Sequence, residues 1–209
     1  MRRQRPSKKR IVLGVTGIFG SGKTTVCGIL NSFGADVINA DGLVHQFLGR
    51  GKNPYKKIVA SFGPGILGPG RAIDRKRLGR IVFEDKGSRI TLNRILHPLV
   101  IREIKKRIKA ARKRVIVLDA PLLLEAGLRK MVDKLVVVKI SRAEQVKRLK
   151  KRGVSSLKDI LKRTKIQIPQ SRKVGLADFV IDNSGLLRET RRQVREVWKE
   201  TVRSLAVNK

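Results

Sequence analysis

The string of eight residues at positions 17–24, Gly-Ile-Phe-Gly-Ser-Gly-Lys-Thr, constrains the fold of this chain more than any other feature. It follows a strand-like apolar run at residues 11–16, opens an amphipathic pattern at residues 23–33, and fills every position of G-x-x-x-x-G-K-[ST]. Glycines let the backbone turn so that successive N–H groups face a phosphate, and the helix adds its positive N-terminal end at the same point. The string therefore predicts a nucleotide-binding loop rather than a glycine turn that happens to precede a helix.

Several polar side chains in and after this loop suggest the chemistry of the site. Lys23 is expected to reach the β- and γ-phosphates of the nucleotide, and the Thr24 hydroxyl is expected to ligate Mg²⁺ directly. Asp119 ends a later strand-like run, where a carboxylate can hold Mg²⁺ through bound water. Glu125, which follows soon after, is either a helper at the same place or a surface carboxylate.

The apolar runs indicate the fold class. Five short β-branched runs are apolar on both faces and alternate with helical patterns, as a parallel sheet covered by helices requires; they lie at residues 11–16, 36–39, 115–119, 134–140 and 178–181. Residues 40–114 contain no strong strand and are too many for a crossover loop, which predicts an inserted helical subdomain. Residues 148–172 are dense in Lys and Arg and are expected to form a mobile basic flap. The class is therefore α/β.

Asp41 lies two residues after the second of these runs. Ligands of open parallel sheets bind beyond the carboxyl ends of the strands, so an acid there can accept the proton of an acceptor hydroxyl. The same residue can instead cap a helix that begins at Gly42. The residues leave both roles open.

Composition limits the class of protein. The chain has 209 residues, of which 50 are Lys or Arg and 16 are Asp or Glu, so its net charge of +34 favours polyanions. With 41% hydrophobic residues it can still build a core, which excludes a disordered basic tail. Cys27 is the only cysteine and no apolar run approaches the length of a membrane span. A cytoplasmic protein without a transmembrane segment is expected.

A phosphate-binding loop does not define a reaction, so three functions remain possible on these grounds. The first is a small-molecule kinase in which the excess charge is lineage-wide Lys and Arg enrichment. The second is a nucleic-acid-binding protein, for which the charge argues, although the cations are scattered and only 4% of the residues are aromatic. The third is a kinase for nucleotides or shikimate.

Five stretches, in order along nearly the whole chain, resemble the dephospho-CoA kinase family, whose reaction is the last step of coenzyme A synthesis. They are residues 17–25, residues 37–41 (Val-Ile-Asn-Ala-Asp), residues 92–98 (Leu-Asn-Arg-Ile-Leu-His-Pro), residues 120–125 (Ala-Pro-Leu-Leu-Leu-Glu), and residues 167–169 (Gln-Ile-Pro) leading to 177–185 (Ala-Asp-Phe-Val-Ile-Asp-Asn-Ser-Gly). The first stretch is common to many nucleotide-binding proteins, whereas the other four in this order are specific.

The resemblance implies a P-loop kinase with a five-stranded parallel sheet flanked by helices, an inserted helical subdomain that binds the CoA moiety, and a lid. It implies transfer of phosphate from ATP to the ribose 3′-hydroxyl of dephospho-CoA. The corresponding divisions are a basic N-terminal extension at 1–10 and a kinase domain at 11–207, with its core at 11–41, 114–147 and 174–207, the insertion at about 42–113 and the lid at about 148–173.

The resemblance also implies roles for individual residues. The catalytic residues are Asp41, Lys23 and Arg148; ATP is bound by Gly20, Ser21, Gly22, Lys23, Thr24, Thr25, Arg148 and Arg152; the acceptor is bound by Asp41, His97, Pro121 and Leu122. Arg163, Gln167 and Lys173 fall on further positions of the lid motif. Two positions depart from the family pattern, because Asn39 and Gly153 stand where an acid is common. ATP and dephospho-CoA are the expected partners, with nonspecific polyanion binding from the charge and an undetermined oligomeric state.

Overall fold

The computed structural model describes residues 10–151, 153, 164 and 166–207. The predicted N-terminal extension, apart from Arg10, and the predicted lid residues Arg152 and Arg163 lie outside these residues. The chain divides into two compact units. The sheet unit comprises the described residues up to Ile38 and from Ala111 onward, and the helical unit comprises Asn39–Ala110.

The sheet has five strands in the order β2-β3-β1-β4-β5. Its strands are β1 (Ile11–Gly17), β2 (Asp36–Asn39), β3 (Val115–Asp119), β4 (Lys134–Lys139) and β5 (Phe179–Asp182). The registers of β1 with β3, β1 with β4 and β4 with β5 are parallel. Each strand begins and ends within one residue of its predicted position, and the α/β class with a five-stranded parallel sheet is confirmed.

Eight helices are present in the part of the chain that the structure describes. They are α1 (Lys23–Ser32), α2 (Ala40–Phe47), α3 (Asn53–Phe62), α4 (Arg75–Glu84), α5 (Lys86–Ala110), α6 (Arg142–Lys151), α7 (Gln170–Gly175) and α8 (Leu187–Val207). None of the described helices is long and apolar enough to cross a membrane.

The core of the sheet unit explains why the strands are apolar on both faces. All residues of β1 and β3 are buried. On one side of the sheet, Leu13 and Val136 pack with Val26 and Leu30 of α1 and with Val194 of α8. The central strand β1 thus lies between β3 and β4 and is buried along its whole length. The nucleotide-binding loop follows directly at its carboxyl end.

The helical unit has its own core, in which residues of α3, α4 and α5 pack with Ile66 of a short 3₁₀ turn, Pro64–Ile66; a second 3₁₀ turn, Pro69–Arg71, has no buried residue. Ile58, Ile66 and Leu78 are fully or almost fully buried there. The Tyr55 hydroxyl donates to the carbonyl of Arg71, which ties α3 to the second turn. The described residues from Asn39 to Ala110 are thus mostly helical, while the bounds and the function of the predicted insertion stay predictions.

Candidate active site

The nucleotide-binding loop leaves β1 at Gly17 and enters α1 at Lys23. Gly20 and Gly22 have φ of 80° and 87°, a left-handed conformation that favours glycine. A Cβ at Gly22 would overlap Asn183 Nδ2, and one at Gly17 would lie 2.6 Å from the carbonyl oxygen of Val138. These glycines are therefore needed for both the turn and the close approach of neighbouring elements.

The N-terminus of α1 is the part of this loop suited to an anion. No side chain caps this helix within the described residues. The backbone amides and the positive end of the helix dipole are together the usual means of binding phosphate. The N–H of Ser21 is an exception, because it already donates to the carbonyl of Ile18. The Ser21 hydroxyl is buried and has no hydrogen-bond partner among the described residues. Thr24 is exposed in the first turn of α1, and Thr25 is half-buried.

Lys23 and Asp119, predicted as a phosphate-binding and a metal-binding residue, form an ion pair with each other. The side chains are only 13% and 3% exposed, so the carboxylate depends on the ammonium for compensation of its charge. The thiol of Cys27 also hydrogen-bonds to Asp119. Burial, and then the Asp119 carboxylate, raise the pKa of Cys27 well above its usual range, while Lys23 acts in the opposite direction. The end of β3 thus places a carboxylate next to the P-loop lysine.

Arg148 of α6 lies beside the loop, and its role toward the nucleotide phosphates stays a prediction. Its Nη1 is 3.6 Å from the position that a Cβ would take at Gly22. The guanidinium is oriented by Glu144 one turn earlier, with 2.8 Å between Arg148 Nε and Glu144 Oε1. Lys23, Arg148 and the amino end of α1 therefore bring positive charge to one place.

Asn183 and Gln145 also hold the loop, and the sequence alone points to neither of them as a site residue. Asn183 Nδ2 donates to the Ser21 carbonyl at 2.8 Å, and Gln145 Nε2 donates to the Phe19 carbonyl at 2.6 Å. Asn183 is itself fixed by the Thr190 hydroxyl, which donates to its Oδ1 at 2.8 Å. Asn183 lies within residues 177–185, one of the stretches that resemble the family, so its segment, although not the residue itself, could be expected to have a role. Nothing in the sequence distinguishes Gln145 from an ordinary helical glutamine.

The segment after β3 contains two of the predicted acceptor-binding residues, Pro121 and Leu122. The Pro121 carbonyl accepts hydrogen bonds from Thr16 Oγ1 at 3.0 Å and from Lys173 Nζ at 2.9 Å. Leu122 is 39% exposed, which is unusual for a leucine beside the core. Glu125 is not a surface carboxylate, because its side chain is 17% exposed and forms an ion pair with Lys173.

Gln167, at a predicted lid-motif position, contacts the nucleotide-binding loop. Its Oε1 accepts a hydrogen bond from the Phe19 N–H at 2.8 Å. With Gln145 on the carbonyl of the same residue, both polar groups of the Phe19 backbone are satisfied by side chains. The loop is therefore held rigidly at its midpoint.

Asp41 and His97 lie in the helical unit. Asp41 is exposed in the first turn of α2, and His97 is half-buried within α5, directly before Pro98. The N-cap of α2 is Asn39, whose Oδ1 accepts from the Gly42 N–H at 2.6 Å. The interpretation of Asp41 as the helix cap is therefore wrong, and the position that departs from the family pattern supplies the cap.

The residues present fit a magnesium site of the P-loop kind. No cluster of three or more His, Cys, Asp or Glu side chains able to hold a metal occurs among the described residues. Mg²⁺ beside a nucleotide needs few protein ligands, because phosphate oxygens and water complete its shell. An exposed hydroxyl at Thr24 and a carboxylate at Asp119 are the hard oxygen donors that such a site uses.

Comparisons with known proteins give a consistent result. The model of the family CoaE, dephospho-CoA kinase, matches residues 11–189. The chain is 42% identical to the dephospho-CoA kinase of Carboxydothermus hydrogenoformans over 194 residues, covering 90% of this chain and 94% of that protein. Among solved structures it is similar to TT1252 from Thermus thermophilus, with a TM-score of 0.81 and 31% identity over 92% of this chain and 98% of that one. It is also similar to the dephospho-CoA kinase from Campylobacter jejuni, with a TM-score of 0.66 and 30% identity over 90% and 96% of the two chains.

Proposed function

The chain belongs to the dephospho-CoA kinase family and catalyses ATP-dependent phosphorylation of dephospho-CoA in CoA biosynthesis, and from this premise we propose which residues carry the reaction. Membership over residues 11–189 argues against a kinase for nucleotides or shikimate as the main activity. Binding of nucleic acid through the net charge stays a prediction. The observation that supports the assignment of residues is the convergence of Lys23 and Arg148 on the amino end of α1.

ATP is bound through the loop. We assign its triphosphate to the backbone of Gly20, Gly22 and the first turn of α1, which includes Thr24 and Thr25. Ser21 is assigned to the same site as a residue of the turn between these two glycines. The cation at Lys23 can exchange its Asp119 partner for phosphate oxygens. Because the loop is held at Phe19 and Ser21, its amide groups need little reorganisation when the nucleotide binds.

Charge on the transferred group is stabilised by Lys23 and Arg148. Phosphoryl transfer spreads negative charge over the equatorial oxygens, so fixed cations lower the barrier more than they strengthen ground-state binding. Arg148 is held by Glu144 and the Gly185 carbonyl, which sets the direction of its guanidinium. Arg152 is assigned the same role from its sequence position alone.

Mg²⁺, held by the Thr24 hydroxyl and through water by Asp119, would neutralise phosphate charge when bound. When Lys23 turns toward phosphate, the Asp119 carboxylate can orient water. The hydrogen bond between the Cys27 thiol and this carboxylate is kept.

Asp41 is the proposed acid on the acceptor side. Its carboxylate accepts the proton of the ribose 3′-hydroxyl as the phosphate is transferred. Asp41 is exposed in the first turn of α2, and Asn39 rather than Asp41 caps that helix. His97, Pro121 and Leu122 are the proposed contacts to the rest of dephospho-CoA. The cytoplasmic location, the polyanion binding and the oligomeric state stay predictions or open questions.

The test replaces Asp41 and Lys23 separately. We expect Asp41→Asn to lower kcat by about 10²-fold or more, with the Kd for ATP changed by less than about twofold, because the acid acts only on the acceptor. Lys23→Met should weaken ATP binding and lower kcat together. ADP release coupled to chromatographic detection of CoA gives turnover, and calorimetry gives the Kd.

Asp85→Asn is the matched control, since it makes the same substitution at an exposed acid of the helical unit that caps a helix start. Asparagine caps as well as aspartate, so this variant should turn over like the wild type. An Asp41→Asn enzyme with normal kcat would remove Asp41 from the mechanism.

A further inference from the structure

Lys173 of α7 is fully buried and has no role in the mechanism above. Its ammonium contacts three oxygens, namely Glu125 Oε1 at 2.9 Å, the Pro121 carbonyl at 2.9 Å and Thr16 Oγ1 at 3.4 Å. A buried ammonium is retained in a core only when it is paired and hydrogen-bonded. These contacts satisfy its three donors, so the site is built for a charged lysine.

Glu125 depends on this lysine in turn. Its Oε1 accepts from both Lys173 and the Ile168 N–H, at 2.9 and 2.8 Å. Its Oε2 is buried and has no hydrogen-bond partner among the described residues. A carboxylate with one unsatisfied oxygen is costly to bury, and the ammonium supplies the compensation.

The pair fixes the backbone of the segment that leaves β3. Pro121 is held by Thr16 and Lys173 through its carbonyl, and Glu125 is held through its carboxylate. Between these two points Leu123 is fully buried, next to Gly14. Leu122 is the residue of this fixed backbone that remains exposed, and it is a proposed contact to the acceptor.

We propose that Lys173 is a positioning residue for dephospho-CoA binding, which it serves by holding Pro121 and Glu125 so that Leu122 faces the acceptor. The inference rests on the proposed function. It separates the roles of two lid-motif positions, because Gln167 accepts from the N–H of Phe19 in the nucleotide-binding loop, whereas Lys173 contacts Pro121 and Glu125 of the acceptor segment and Thr16 of β1. Loss of Lys173 should therefore affect the acceptor and spare ATP.

The experiment measures binding as well as turnover. For Lys173→Met we expect the KM and the calorimetric Kd of dephospho-CoA to rise about tenfold or more, because misplacement of a positioning group by 1 Å can cost up to about 10²-fold. The KM and Kd of ATP should change by less than about twofold. Lys134→Met is the matched control, because it removes an exposed lysine that pairs with Asp178 in the same unit, and it should leave both substrates unaffected.

A second variant separates positioning from stability. Lys173→Met leaves Glu125 buried without its cation, so its Tm should fall and it can fail to fold. Lys173→Met/Glu125→Leu removes both charges and should regain most of the Tm, since apolar pairs replace buried ion pairs well. We expect the acceptor KM and Kd of this double variant to stay raised with normal ATP binding.

A double variant that binds dephospho-CoA like the wild type would overturn the inference, as would equal loss of both substrates. Calorimetry of the wild type keeps this outcome apart from a failure of the proposed function. If the wild type neither binds nor phosphorylates dephospho-CoA, the function itself is wrong. If it does both and the variants lose only stability, Lys173 is merely structural.

Discussion

At the scale of single residues, the surroundings of Cys27 change the pKa of its thiol. It is buried on α1 and hydrogen-bonded to Asp119, and burial followed by that carboxylate raises its pKa. The thiol therefore stays protonated and unreactive in the folded chain at neutral pH. A thiol-specific chromogenic disulfide should react slowly with the native protein and titrate the one cysteine in denaturant.

The raised pKa of Cys27 also predicts a loss of stability in alkali. In the unfolded chain the thiol ionises near its ordinary pKa of about 8.5, whereas in the folded chain it keeps its proton. Above that pH the folded state binds more protons, so the free energy of unfolding falls by up to about 1.4 kcal/mol per pH unit. The stability that the protonated Cys27 thiol contributes is therefore fully present below a pH of about 8.5 and is lost as the pH rises above it.

Urea unfolding of the wild type and of Cys27→Ala, at several pH values from neutral to about 10, measures this loss. Titration of the many lysines is common to both proteins and cancels in the difference. The stability difference between the two proteins should shrink as the pH rises. Parallel pH profiles would show that the thiol ionises equally in both states.

The residues at the site differ in how far the sequence could predict them. Lys23 and Arg148 belong to local patterns, a loop string and a helical face, which single them out before the fold is known; Lys23 pairs with Asp119 and Arg148 lies beside the loop. Gln145 and Asn183 act on the loop from positions 126 and 162 residues away, and only the tertiary fold brings them there. The pairing of Glu125 with Lys173 was missed for the same reason.

At the scale of elements, α2 begins with a cap that its sequence does not single out. The apolar strands were predicted to within one residue, because a run buried on both faces has few alternative boundaries. The start of α2 was placed at Gly42, because Asp41 was considered as the cap, whereas Asn39 caps it from the end of β2. Two residues able to cap a helix that lie on either side of Ala40 cannot be distinguished by propensity alone.

This cap predicts a difference between two substitutions at Asn39. Asn39→Ala should lower the free energy of unfolding by about 1 kcal/mol, because the Gly42 N–H loses its acceptor. Asn39→Asp should keep the stability to within about 0.5 kcal/mol and place a second carboxylate near Asp41 in the chain. Thermal unfolding of both variants measures the effect.

Asp74→Ala serves as the reference, because Asp74 caps α4 of the same unit through the N–H groups of Lys76 and Arg77. It should lose a similar amount of stability. An Asn39→Ala protein as stable as the wild type would show that the Gly42 hydrogen bond contributes nothing in water.

At the scale of the whole molecule, the net charge of +34 opposes folding. Like charges repel more strongly in the compact state, and α8 alone exposes Arg188, Arg191, Arg192 and Arg195. Screening shortens the reach of this repulsion from about 30 Å at 0.01 M salt to about 8 Å at 0.15 M. The family comparison explains the reaction but not this charge, for which the structure offers no catalytic role.

We therefore expect Tm to rise with salt, by about 2–4 °C for each 1 kcal/mol of repulsion that is relieved. Calorimetric scans in sodium chloride from 10 to 200 mM test this, and sodium acetate at equal ionic strength should act alike if screening is the cause. Arg191→Gln/Arg195→Gln should reduce the salt dependence. A Tm that is constant or falls with salt would argue that repulsion is already compensated.

The order of the strands has a consequence for synthesis of the chain. The nucleotide-binding loop follows the first strand, yet its neighbours β3 and β4 come from beyond the helical unit, with Ile11 opposite Val115 and Leu13 opposite Lys134. At 5–20 residues per second, roughly 5–20 s of translation separate the loop from the strands that flank it. The helical unit, one continuous segment, can collapse during this interval, whereas the sheet must close a loop of about 100 residues first. A ribosome-bound chain therefore becomes able to hold ATP only after β3 and β4 have been translated and have paired with β1.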